Sequence, residues 1–199
     1  MSECALINWS PAVARPVSIT AEHVLEAARA VFMERGYDAT TAQIAKRAGV
    51  SEGSLFKRYK GKGELFLAAM EFPAPRFLRI IDDVPGKGDV KQNLVRLATL
   101  MLEFFEELLP KAIMTWSNPN RRRPNRAALR GMQRVRAFFA REMELGRLRK
   151  GNPEVVARIF AGSLWHFCFT CLVFGDRPSL RRERFSRELV DHLWDGLKP

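Results

Sequence analysis

Residues 40–63, TTAQIAKRAGVSEGSLFKRYKGKG, decide the fold. Thr40 and Gln43 have the spacing of a capping box, in which the hydroxyl takes the N–H three residues on and the glutamine reaches back. They predict a short helix through Ala48. Gly49 and Val50 form a tight turn, and Ser51 caps a third helix over about Glu52 to Tyr59. Its buried side is Leu55 with either Tyr59 or Phe56. Upstream, Thr20 precedes Val24, Leu25, Ala28, Val31 and Phe32, one apolar stripe at helical spacing. Gly36 supplies the positive φ that a chain leaving a helix usually needs. Helix, short helix, glycine turn and second short helix describe a tri-helical helix-turn-helix. An ordinary three-helix corner satisfies the same geometry.

Charge separates these readings only when taken locally. The 199 residues carry a formal net charge of +11, which suggests a polyanionic partner. Residues 1–72 hold nine Lys/Arg against eight Asp/Glu, so most of the surplus lies beyond them. Between Thr41 and Gly63, however, Lys46, Arg47, Lys57, Arg58, Lys60 and Lys62 face only Glu52. Phosphates are neutralised one contact at a time, so this local density matters more than the total.

The composition, 47% hydrophobic and 28% charged, is that of a chain with a real core. Three cysteines are too few for a disulfide framework. The opening MSECALINWSPAVARP shows neither a basic n-region nor an apolar h-region, so a cytoplasmic location is expected. The apolar run Ile159 to Phe174 covers ~24 Å as a helix, short of the ~30 Å hydrocarbon core, and is expected to be a buried helix with no membrane partner.

From Thr20 to Met70 the chain resembles the DNA-binding domain of the TetR (tetracycline-repressor-like) family. The runs AARAVFMERGYDATT and QIAKRAGVSEGSLFKRYKGKGELF carry the resemblance, at Phe32, Gly36, Tyr37, Thr41, Ile44, Ala45, Gly49, Val50, Ser51, Leu55, Tyr59, Lys62 and Leu65. It implies an all-α protein of about nine helices: a flexible arm (1–17), a helix-turn-helix DNA-binding domain (18–62) and a larger helical regulatory and dimerisation domain (63–199). Small residues at the leading end of a recognition helix let its backbone enter the major groove, and Ser51, Gly53 and Ser54 supply them. Thr41 and Ser51 stand at helix N-termini, which are ready phosphate sites. Lys57, Arg58 and Lys62 add charge, Lys62 at the family's usual phosphate-binding lysine. Arg58 stands where the family commonly has His, and either guanine or a phosphate is within its chemistry. Phe56 replaces a common Tyr and lacks the hydroxyl that would meet a phosphate. Ala42 can read nothing beyond a thymine methyl. Glu52 either accepts from cytosine or only favours the helix N-terminus. Arg15 in the arm either enters a minor groove or stays solvated.

Beyond Lys62 the pattern stays helical. A connecting helix is expected to run to about Phe72, to break at Pro73 and Pro75, and to resume from Arg76 to Val84. After a PGKGD loop, Asp89 opens a long helix that Pro110 ends or bends, followed by a short helix with Met114 and Trp116. A polar loop spans Ser117 to Asn125. The next helix carries Arg126, Arg130 and Arg134 at four-residue spacing, either a solvated row or a contact to an acidic partner or flanking DNA. Two helices close the chain, about Pro153 to Phe174 and Leu180 to Leu197. The first is apolar nearly all round and so must be covered all round. A homodimer is therefore expected, with Ile159, Phe160, Leu164, Phe167 and Cys171 meeting the partner. Phe185, Leu189 and Leu193 of the last helix complete that face.

Aromatic and methionine residues concentrate in the larger half. Met101, Phe104, Phe105 and Trp116 on one side, and Met132, Phe139, Trp165 and Phe169 on the other, form either plain core or the wall of a small-molecule chamber, with His166 as a polar handle. The expected effector is hydrophobic or aromatic. A zinc site at His166, Cys168 and Cys171 is not expected, because ~100° per residue turns the first two to opposite sides of a helix. No catalytic or cofactor fingerprint occurs, so neither an enzyme nor a cofactor is expected. The sequence thus points to a DNA-binding transcriptional regulator, most simply a repressor released from a palindromic operator by a small molecule. The alternative is a helical small-molecule-binding protein with a degenerate DNA-binding head.

Overall fold

A computed structural model of the chain describes residues 20–71, 75–116, 126–176 and 178–199. Nine helices and no strands occur among them: α1 (Ala21–Arg35), α2 (Thr41–Ala48), α3 (Glu52–Phe56), α4 (Lys62–Ala69), α5 (Phe77–Asp83), α6 (Val90–Trp116), α7 (Arg126–Glu144), α8 (Pro153–Val173) and α9 (Arg182–Leu197). The architecture is all-α, as expected. The arm, Pro73 and the Ser117–Asn125 loop lie outside the described residues, as does the side chain of Arg126.

The head forms where local signals are strongest. The Thr20 hydroxyl accepts from the His23 N–H at the start of α1. Both halves of the Thr40–Gln43 capping box are present at the start of α2. Gly36 and Gly49 take φ of 73° and 67°, a region where an L side chain crowds its own carbonyl. Around these ends Val24, Phe32, Ile44 and Leu55 share one core with Leu65, Phe66, Ala69 and Met70 of α4. Phe66 stands edge-on to Phe32 at 4.9 Å and to Tyr37 at 5.0 Å. The head's core therefore runs past residue 62 to Met70. The Arg29 Nε donates to the carbonyl of Ala69 at 2.8 Å, closing the C-terminus of α4 onto α1.

α4 ends sooner than the sequence suggests, at Ala69 instead of near Phe72. Proline has no N–H, so position 73 cannot donate to the carbonyl of Ala69 four residues back, which accepts from Arg29 instead. Pro110 corrects a second expectation. It lies inside the 27-residue α6, which neither ends nor yields a separate helix around Met114 and Trp116. An interior proline costs about 3 kcal/mol. Leu108, Leu109 and Ala112 are buried on either side of it, and that packing outweighs the lost hydrogen bond.

The body packs α6 against α8 and α9, and α8 also against α7. Its centre is Leu97, Leu102, Phe138, Phe139, Phe160 and Leu164. Glu142, fully buried on α7, accepts from the Gly86 N–H at 2.9 Å and lies 2.8 Å from Arg147 Nε as an ion pair. Arg147 in turn donates to the carbonyls of Lys87 and Gly88 at 3.0 and 2.9 Å, so the PGKGD loop is held from both sides. Head and body touch where α1 meets α6, with Met114 packed against the head's core. Burial in this junction, followed by the nearby Arg29 charge, holds the Lys111 amine below its ordinary range.

Candidate nucleic-acid interface

α3 is anchored from one side only. Leu55 is 1% exposed in the head's core and Tyr59 packs beside it, whereas Phe56 is 49% exposed. The alternative left open by the sequence is resolved: Tyr59, not Phe56, shares the buried side. Ser51, Glu52, Gly53, Ser54, Phe56, Lys57 and Arg58 all lie on the surface, and Ala42 is exposed at the start of α2. Thr41 is half-buried.

The hydroxyls at this end are tied into the protein. Ser51 Oγ accepts from the Ser54 N–H at 3.2 Å and lies 2.9 Å from Ser54 Oγ. The Thr41 hydroxyl donates to Glu52 Oε1 at 2.6 Å, fastening the start of α2 to the start of α3. The starts of α2 and α3 are thereby held side by side. Two positions expected to meet DNA independently, Thr41 and Glu52, are thus partners of each other.

Lys62 opens α4 with its ammonium 4.6 Å from the centre of the Tyr37 ring. A cation at a helix N-terminus opposes the dipole, so its place there is favourable only with the ring beneath it or an anion in front. This contact was not legible from spacing, although Tyr37 itself stands in the GYDATT run. Arg47 is exposed and paired with Glu34 of α1 at 2.7 Å, beside a cleft of about 510 Å³ between α1 and α2.

Only part of the expected effector wall assembles. Phe77, Phe104, Phe105, Trp165 and Trp116 form a continuous aromatic chain, with centroids 5.3 Å apart at Phe105–Trp165 and 5.8 Å at Trp116–Trp165. Met132 and Phe169 are half-buried around the same core, and Met101 and Phe139 are sealed in it. His166 is exposed. A cleft of about 140 Å³ opens elsewhere, between α5 and α7, where Arg134 pairs with Asp82. Arg134 therefore has a partner within the chain, and Arg130 is exposed.

The dimer face also needs correction. Phe160 and Leu164 are fully buried inside one chain, facing α6 and α7, and cannot meet a second copy. Ile159 is 49% exposed, while Phe167, Cys171, Phe185, Leu189 and Leu193 are half-buried. Val155 and Phe174, not anticipated, are 51% and 73% exposed. α8 is 21 residues long, about 31 Å, so by length and composition it passes the test for a membrane span that the shorter Ile159–Phe174 segment fails. Its Phe160–Leu164–Cys168 side is nevertheless packed in the core. Burial pushes the Cys168 thiol up to about 12, so it stays neutral, and no cluster able to hold a metal occurs among the described residues.

Residues 24–69 match the profile of bacterial regulatory proteins of the tetR family. Over that stretch the chain is similar to the tetR family. Among its relatives is an uncharacterised HTH-type transcriptional regulator, YvkB of Bacillus subtilis, 26% identical over 79% of this chain and 86% of that protein. A second is the HTH-type transcriptional repressor AcnR of Corynebacterium efficiens, 26% identical over 73% and 77%. Among solved structures, the regulator FadR of Bacillus subtilis in complex with stearoyl-CoA superposes with a TM-score of 0.68, over 89% of this chain and 99% of that one, at 17% identity. The chain is accordingly a helix-turn-helix transcriptional regulator.

Proposed function

We infer that the protein is a cytoplasmic repressor that binds an inverted-repeat operator as a homodimer and leaves it when a hydrophobic or aromatic molecule enters the body. One observation carries the DNA-binding half: Leu55 is the one buried residue of α3, which leaves Gly53, Phe56 and Lys57 exposed beside the Thr41–Glu52 link to α2. Half-site contacts of this size are weak singly, and a two-fold pair joins two of them about 34–36 Å apart. The exposed Val155–Ile159 side of α8, continued by Phe185 and Leu189 of α9, is the surface that supports the pairing. The aromatic chain from Phe77 to Trp116 supports an apolar effector, as does the stearoyl-CoA complex of the structurally similar FadR. The division into a DNA-binding head and a regulatory body follows the two separate cores, and α1 and α6 carry the signal between them. The effector need favour the non-binding arrangement by only ~1–3 kcal/mol to empty the operator substantially.

The test is a gel shift with duplex DNA from the region upstream of the protein's own gene, run across a salt series with excess competitor. Binding that survives competitor supports this reading; weak binding blind to sequence contradicts it. Lys62→Ala should weaken binding to all sequences about equally and reduce the steepness of the salt dependence. A changed base preference in that variant would show that Lys62 does not serve a phosphate.

A further inference from the structure

The outward groups of α3 form a short inventory. At ~100° per residue, Gly53 and Lys57 lie about 160° from the buried Leu55, with Phe56 about 100° away and Glu52 only about 60°. The Glu52 carboxylate is engaged by Thr41 at 2.6 Å, and the Ser54 hydroxyl lies 2.9 Å from that of Ser51. Gly53 has no side chain, and a Cβ there would meet nothing nearer than Ser51 Oγ at 3.8 Å, so the groove side is open. What projects outward along that open strip is the Phe56 ring, 49% exposed, with Lys57 beside it.

A phenyl ring can neither donate to a phosphate nor accept from a base. On the edges of base pairs in the major groove one group is apolar, the C5-methyl of thymine. Gly53 stands one turn before Phe56, about 60° from it around the helix, and leaves the backbone open on that side. We propose that Phe56 is a specificity-determining residue that reads a thymine methyl in each half-site of the operator. This rests on the DNA-binding reading above and adds to it the identity of one base.

The wild-type protein would first select duplexes from a random library. Each thymine of the selected duplex is then replaced by deoxyuridine, which removes only the methyl and keeps every hydrogen-bonding group. The expected result is one symmetry-related pair of positions at which each replacement weakens binding about fourfold, the transfer worth of one buried methyl. Phe56→Ala should bind the thymine and deoxyuridine duplexes equally, and Phe56→Leu should keep part of the preference. Because the ring lies outside the core, both variants should melt close to the wild type. The proposal is overturned if no thymine position responds, or if Phe56→Ala still tells thymine from uracil. Failure of the wild type to select any duplex would instead remove the DNA-binding reading itself, and this assignment with it.

Discussion

At the scale of single residues, the head is specified by groups whose local chemistry leaves little choice. Gly49 takes φ 67° because the chain must turn between α2 and α3 within two residues. Gly49→Ala should destabilise the protein by about 1–2 kcal/mol in urea unfolding, the cost of placing a Cβ in the left-handed region. Unchanged stability would mean that the turn relaxes to another conformation. Cys168 allows a pH test. Its folded value, about 12, lies above the usual value of about 8.5. The stability it confers by staying neutral is therefore complete below about 8.5 and is lost as pH rises toward 12. Cys168→Ala should flatten the fall in stability across that alkaline range, as read by thermal melting at successive pH values. A wild-type slope unchanged by the substitution would remove burial of the thiol as its cause.

Among helices, legibility depended on whether the signal was local. The caps at Thr20, Thr40 and Ser51 and the stops at Gly36 and Gly49 fix α1, α2 and the start of α3 within a residue or so, because each acts on its own neighbours, whereas α3 ends at Phe56 and not at Tyr59. Pro110 deceived for the opposite reason: its local cost is real, but the packing that outweighs it comes from other helices. Pro110→Ala should restore an N–H to the α6 ladder and raise the unfolding midpoint, by up to ~3 kcal/mol in free energy. A lower midpoint would show that α6 depends on the proline for its packing. Glu142 was also invisible in the sequence, since nothing near it announces that Gly86 and Arg147 converge there. Glu142→Ala leaves the Gly86 N–H without its acceptor and Arg147 without its counter-ion, and should cost about 3 kcal/mol in chemical denaturation. A loss below 1 kcal/mol would mean that water replaces the carboxylate.

For the whole molecule, the all-round apolarity of α8 announced that it must be covered but gave no phase. Periodicity cannot say which side of such a helix meets the core: Phe160 and Leu164 are buried within the chain, and Val155 is exposed. The same lack of phase hides which aromatic residues meet: Phe104, Phe105, Trp165 and Trp116 stand in ring contact. The outward side of α8 now makes a definite prediction. Ile159→Glu should leave the fold intact and convert a dimer to a monomer in analytical ultracentrifugation, with loss of tight binding to the inverted repeat. A variant that remains dimeric would move the pairing surface elsewhere.

The most direct test of the central claim, that two outward-facing α3 helices enter successive major grooves of one duplex, is a hydroxyl-radical footprint of the wild-type dimer on its selected sequence. The account predicts two symmetric protected patches on one side of the DNA, centred about 34–36 Å apart. Protection spread evenly along the duplex, or confined to a single patch at saturating protein, would contradict it.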